Sequence, residues 1–169
     1  MLCQNLPMQK FLYSIVFFFV TQYVFSNTYD SIKGYWHGFG LILEIRECED
    51  KFCAEIDHIF VSGDKNPLDV LDKNNQDKKL RSRPLIGSNM LFDFDKKPDG
   101  QGSFSGKIYN PENGKSYKAK IQLLENDALE IKGCVTVICQ KAGEWLRVDI
   151  VLNESGQKVA KLTNPLAIY

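Results

Sequence analysis

Tyr117-Lys118-Ala119-Lys120-Ile121-Gln122-Leu123-Leu124-Glu125-Asn126-Asp127-Ala128-Leu129-Glu130-Ile131-Lys132 is the stretch that decides the fold. Apolar and polar side chains alternate through two runs, and between them stands Glu125-Asn126-Asp127, whose Asn and Asp side chains bond to nearby backbone and so favour a turn. Alternation at a period of two puts one face in a core and the other in water, the pattern of a half-buried antiparallel hairpin.

The same period extends through most of the chain. Leu41, Leu43 and Ile45 alternate with Glu44 and Arg46, and Phe52, Ala54, Ile56, His58 and Phe60 alternate with Cys53, Glu55 and Asp57. Turn chemistry recurs at Lys97-Pro98-Asp99-Gly100 and at Asn110-Pro111-Glu112-Asn113-Gly114. Eight strands are expected, near 35–37, 41–48, 52–61, 85–94, 103–109, 115–123, 128–135 and 144–152. Short connections make neighbours antiparallel, and eight hairpin-linked strands close into a small up-and-down β-barrel that leaves no exposed edge. Lys118, Lys120, Glu130 and Lys132 fall on the outward face. A basic side chain at mid-bilayer costs roughly 2–4 kcal/mol, so a soluble barrel is expected rather than one in an outer membrane.

The 169 residues carry 21 basic and 21 acidic side chains, and this balance argues against a general nucleic-acid or anionic-membrane binder. The opening 26 residues differ from the rest. They hold seven of the 20 aromatics and one charge, Lys10. Lys10 precedes the apolar run Phe11 to Val20, and Val24 and Ser26 fit the small positions before a cut after Ser26, which predicts a cleavable signal peptide over 1–26. The competing reading, an uncleaved membrane anchor, is weaker, because a span needs roughly 20 apolar residues and Thr21 and Gln22 interrupt the run; no span is expected once the signal is removed. No cysteine stands at the cut to take a lipid. The expected location is periplasmic or secreted, with a barrel domain over 27–152 and a tail of unassigned role over 153–169.

Four cysteines follow the signal, in two equal spacings: Cys48 with Cys53, and Cys134 with Cys139. An oxidising compartment favours disulfides, and four cysteines allow three pairings. A hairpin centred between Asp50 and Lys51 would set Cys48 opposite Cys53, so local pairing is favoured; buried free thiols remain open, and the spacing is wide for zinc.

The segment Ser62 to Pro84 breaks the strand pattern, and loops of this length are usually functional or disordered. A short helix is expected within 75–81. Asp72, Asn74, Gln76 and Asp77 lack the glycine and closing Glu of a calcium loop. Lys78, Lys79, Arg81 and Arg83 form a basic cluster, offset by Asp64, Asp69, Asp72 and Asp77, and read more readily as a solvated face than as an anion site. His37 and His58 lack metal spacing, and the alternation makes His58 a barrel-lining residue. Glu55 and Asp57 share the opposite face. No nucleophile elbow, phosphate loop or metal-binding helix is present, so neither an enzyme nor a cofactor is expected.

Several strings together resemble one family: Gly34-Tyr35-Trp36, the Cys48–Cys53 hairpin, Leu80-Arg81-Ser82-Arg83-Pro84-Leu85-Ile86-Gly87, Gly106 to Tyr117 with its Asn-Pro-Glu-Asn-Gly-Lys turn, Lys132-Gly133-Cys134, and Trp145-Leu146-Arg147-Val148. They resemble the exported bacterial family called domain of unknown function twenty-one forty-seven, over about 32–148. The resemblance implies a lipocalin-like (calycin) barrel in the periplasm and no known activity. Family members often carry Asn-Pro-Asp-Pro before the arginines and Cys-Gly after the first hairpin, where this chain has Asn75-Gln76-Asp77-Lys78 and Cys53-Ala54.

Gly34-x-Trp36 with Arg147 is similar to the lipocalin arrangement in which an arginine lies across a tryptophan at the closed end. Trp36 and Arg147 are therefore read as structural, and Trp145 as packing. If the barrel is hollow it would hold a small apolar or amphipathic molecule, with Arg81 and Arg83 at the mouth and Phe60 and Tyr117 pointing inward as the candidate contacts. The alternative is a side-chain-filled barrel whose surface meets an envelope protein.

Overall fold

The computed structural model describes residues 30–136, 138–156 and 158–164; the expected signal peptide lies outside them. Nine strands follow in chain order: β1 (Gly34–Gly38), β2 (Leu41–Cys48), β3 (Lys51–Ile59), β4 (Asn89–Phe94), β5 (Ser103–Asn110), β6 (Lys115–Leu123), β7 (Ala128–Val135), β8 (Ile138–Leu152) and β9 (Lys158–Leu162). Each pairs antiparallel with the next, and β1 also pairs with β8, Trp36 opposite Arg147, so the first eight strands close a barrel. Three single-turn 3-10 helices, at Asp30–Ile32, Pro67–Asp69 and Lys78–Leu80, are the only helices among the described residues. None is long and apolar enough to cross a membrane.

The β6–β7 hairpin has the register its alternation requires. Ile121 stands opposite Ile131, and both are 1% exposed, while Lys120 stands opposite Lys132 on the outer face. Trp36, Trp145, Phe52, Phe94, Phe104, Leu43, Ile56, Leu91 and Leu129 fill the interior with them. Ile32, from the first 3-10 turn, is fully buried and plugs the end where β1 begins. Arg147 seals that end: its guanidinium lies 4.2 Å from the Trp36 ring, its Nε donates to Asp127 at 3.0 Å, and its Nη atoms donate to the carbonyls of Lys33 and Ser31. The Trp36 indole donates to the Ile32 carbonyl at 2.8 Å.

Both cysteine pairs are bonded locally, Cys48 to Cys53 and Cys134 to Cys139. The first hairpin turns on Glu49-Asp50, one position earlier than expected, so Cys48 stands opposite Lys51 and reaches Cys53 diagonally; Cys134 and Cys139 face each other directly.

Four boundaries differ from expectation. β4 begins at Asn89 rather than Leu85, because Leu85 to Ser88 form a turn closed by Ser88 N–H to the Leu85 carbonyl, 3.0 Å. β8 begins at Ile138, since it pairs with β7 up to Val135. The expected tail contains β9, hydrogen-bonded to β8 from Val148 to Leu152. The short helix within 75–81 is one 3-10 turn, capped by the Asp77 side chain, which accepts from Lys79 N–H at 2.9 Å.

A β-bulge changes which side chains of β3 face inward. Leu43 pairs with Ile56 but Ile42 pairs with His58, so Asp57 is an extra residue and the inward parity shifts after it. Ile59 then packs against the core, while His58 and Phe60 fall outside. The expectation that Phe60 points inward and His58 lines the barrel is thereby overturned: Phe60 is 52% exposed, its ring edge-on to those of His37 (5.3 Å) and His58 (5.0 Å).

Candidate functional site

The end opposite Ile32 is where the β1–β2, β5–β6 and β7–β8 turns gather, and here the core gives way to a cavity of about 470 Å³. Leu41, Ile108, Tyr117 and Gly133 line it, each on the inward parity of its strand, with Phe39, Met90 and Tyr109 beside them and Asn110 and Glu112 on the rim. Gly133 helps leave the space open, since a Cβ there would meet nothing within 4 Å.

Residues 60–88 cover part of this end. Val70, Leu85 and Ile86 pack down onto the core, and Leu85 N–H bonds to the Val70 carbonyl at 2.8 Å. The loop is clasped by a buried polar network. Asp72, fully buried, accepts from Tyr109 OH (2.5 Å), Asn75 Nδ2 (2.7 Å) and Arg83 Nη2 (2.9 Å). Burial alone would raise the Asp72 carboxyl pKa, but these donors outweigh it and hold it below the ordinary carboxylate range. Burial, then the Asp72 carboxylate beside it, pushes the Tyr109 hydroxyl up to about 12.

Asn74 extends the clasp, donating from Nδ2 to the Glu112 carbonyl at 2.9 Å. Gly114, at φ +67°, lies directly beneath: a Cβ would stand 1.8 Å from the Asn74 carbonyl oxygen, so only glycine lets loop and turn meet.

Of the residues singled out in the sequence, Tyr117 lines the cavity, and its hydroxyl accepts from Asn113 Nδ2 at 3.0 Å. Arg81 and Arg83 do not line it. Arg83 faces Asp72, and Arg81 Nε donates to the Asn75 carbonyl at 2.7 Å, so both guanidinia are engaged in holding the loop. Trp145 is fully buried against Gly38, where a Cβ would stand 2.7 Å from the indole, and edge-on to Phe39. Glu55 pairs with Arg46 on the outer face, and Asp57 lies with His58 in a groove between β3 and β9. Among the described residues no three His, Cys, Asp or Glu side chains are grouped to hold a metal.

Sequence reasoning passed over Phe39, Met90, Asn75 and Tyr109. Only Tyr109 carried a signal, as the residue entering the Asn110 to Gly114 turn; the others meet the site through contacts made across strands.

A family model described as an uncharacterized protein conserved in bacteria (DUF2147) matches residues 30–147. Among solved structures, protein HP1028 from the human pathogen Helicobacter pylori, which belongs to the lipocalin family, is similar at 27% identity and a TM-score of 0.54 over 68% of this chain and 80% of that one. No curated protein matches.

Proposed function

The chain belongs to the bacterial family DUF2147, and on that premise we propose that it is an exported, non-catalytic lipocalin-like binder that holds a small apolar or amphipathic molecule in the mouth cavity. One observation carries the reading: an inward-facing, largely apolar cavity of about 470 Å³ at the open end of an otherwise filled barrel. Ligand pockets typically span roughly 300–1,000 Å³ and combine apolar walls with a few polar groups; here Tyr117 and the rim residues Asn110 and Glu112 supply the polar contacts. Export is supported by the lysine-led apolar run Phe11 to Val20 and by two disulfides, which persist in oxidising compartments. The non-catalytic reading is supported by the clasp, whose polar groups satisfy one another in holding the loop.

Native mass spectrometry of the protein recovered from the compartment of the cell in which it accumulates is expected to show a retained small-molecule adduct. Gly133→Leu fills the cavity from a position with free space and is expected to abolish the adduct while the barrel persists. An adduct that survives this substitution, or repeated absence of any adduct from the unsubstituted chain, rejects the reading. The second outcome favours a surface-acting envelope protein, a reading supported by the side-chain filling of the rest of the barrel.

A further inference from the structure

The two stapled hairpins carry opposite kinds of tip. At the closed end, the Cys48–Cys53 hairpin turns on Glu49-Asp50 and exposes charge. At the open end, Cys134–Cys139 closes the sequence Cys-Val-Thr-Val-Ile-Cys, in which Val135 pairs with Ile138. These two branched aliphatic side chains are 68% and 65% exposed.

The turn itself breaks a local rule. Two-residue hairpin turns favour Asn-Gly because the backbone enters the left-handed region, yet here Thr136 takes φ +56°, where a β-branched residue is an outlier. The disulfide next to the turn ties the strands together, so the hairpin can keep residues that a turn would ordinarily reject. Strand propensity suits β-branched residues at the ends of β7 and β8, but core packing does not account for side chains this exposed. Departures from local consistency of this kind concentrate at functional positions.

The surroundings indicate what the tip meets. A concave outer surface adjoins it, lined by Lys107, Lys118 and Lys120 together with Cys134, Thr136 and Cys139. Lys107 and Lys120 are ion-paired with Asp93 and Asp99. Lys118 stands directly opposite Cys134 and has no ion-pair partner among the described residues. A stable protein interface buries roughly 1,200–2,000 Å², far more than two aliphatic side chains on a narrow tip can supply. A narrow apolar projection beside an unpaired lysine instead suits a bilayer, where the aliphatic groups enter the acyl boundary and the ammonium meets anionic headgroups.

We infer that the Val135/Ile138 tip docks this protein reversibly on an anionic lipid surface. Gly133, one residue before the staple, lines the mouth cavity, so docking brings the cavity rim to the lipid. The inference stands whether or not that cavity holds a ligand.

The test is Val135→Trp in the full chain, mixed with phosphatidylcholine vesicles containing about one-third phosphatidylglycerol, the acyl chains brominated. Trp36 and Trp145 are fully buried, so quenching beyond that of the unsubstituted chain reports the tip alone and is independent of any vesicle binding by the apolar segment 11–20. Strong extra quenching is expected on anionic vesicles. Adding Lys118→Glu should require at least about fivefold more lipid to reach half-quenching, as the loss of one lysine near the surface implies. Ile138→Trp serves the same purpose if the first variant fails to fold. Tip emission no more quenched than that of the unsubstituted chain overturns the inference, as does quenching indifferent to lipid charge. Photo-cross-linking of the tip in cells to a protein rather than to lipid overturns it too.

Discussion

Asp72 shows how one residue ties a charged loop, whose sequence reads as a solvated face, into an ordered cover. Its carboxylate is fully buried, and it is tolerated there because Tyr109, Asn75 and Arg83 all donate to it. The sign of its pH dependence follows. A carboxyl whose folded pKa is depressed contributes stability that is fully present above the ordinary Asp value of about 4 and is lost as pH falls through the lower folded value. Tyr109 acts at the other extreme, its raised pKa making the neutral form the stabilising one up to about pH 10, with the contribution lost as pH rises through the folded value of about 12. Asp72→Asn is therefore expected to lower stability at neutral pH and to flatten the acid limb, so that the two proteins converge as pH falls through the depressed folded value of Asp72. Urea midpoints measured across pH would read this, and an undiminished acid limb in the variant would show that other carboxylates set it.

At the scale of elements, the loop and the β5–β6 hairpin depend on each other through the Asp72–Tyr109 clasp and through the close approach of Asn74 to the turn. Gly114→Ala places a methyl 1.8 Å from the Asn74 carbonyl oxygen and forces a side chain onto φ +67°. The hairpin itself can relax, but the loop above it must lift. Expected is a loss of about 2 kcal/mol or more, with trypsin cleaving at Lys78 or Lys79 much faster while the barrel resists. Equal cleavage of both proteins would mean that the Asp72 network holds the loop without the turn. The β3 bulge shows the limit of pattern reading at this scale. Phe52, Ala54 and Ile56 were legible as inward residues, but the extra residue at Asp57 is defined only by which residues of β2 lie opposite, and no property of the run Asp57-His58-Ile59-Phe60 announces it. One residue of slip exchanged Phe60 for Ile59 at the core, because side chains of a strand alternate between its faces.

For the molecule as a whole, the decisive event is closure of β1 on β8, and Arg147 is the residue that joins the parts. It stacks on Trp36 of β1, holds Asp127 in the β6–β7 turn, and bonds to two carbonyls just before β1. Arg147→Ala removes the cation–π contact and strands several partly buried acceptors, with an expected cost of about 3 kcal/mol. Arg147→Lys should recover little, since an ammonium reproduces neither the stack nor the forked hydrogen bonds. The mouth cavity lies at the far end, so any retained adduct should be unchanged; loss of the adduct with stability intact would move Arg147 from closure to binding. What the sequence determined by itself was what local pattern carries: the β class, the turns and a preference for local cysteine pairs, whereas the Trp36–Arg147 pair was legible only through the resemblance to lipocalins. The first three are legible because period, turn chemistry and short loop closure are properties of neighbours in the chain. Only the tertiary structure decided the Asp57 bulge, the ninth strand, the use of Arg81 and Arg83 to hold the loop, and the cavity left beside Gly133. Each of these depends on what stands opposite a residue from a distant part of the chain, and cross-strand register and loop docking are set when the barrel closes.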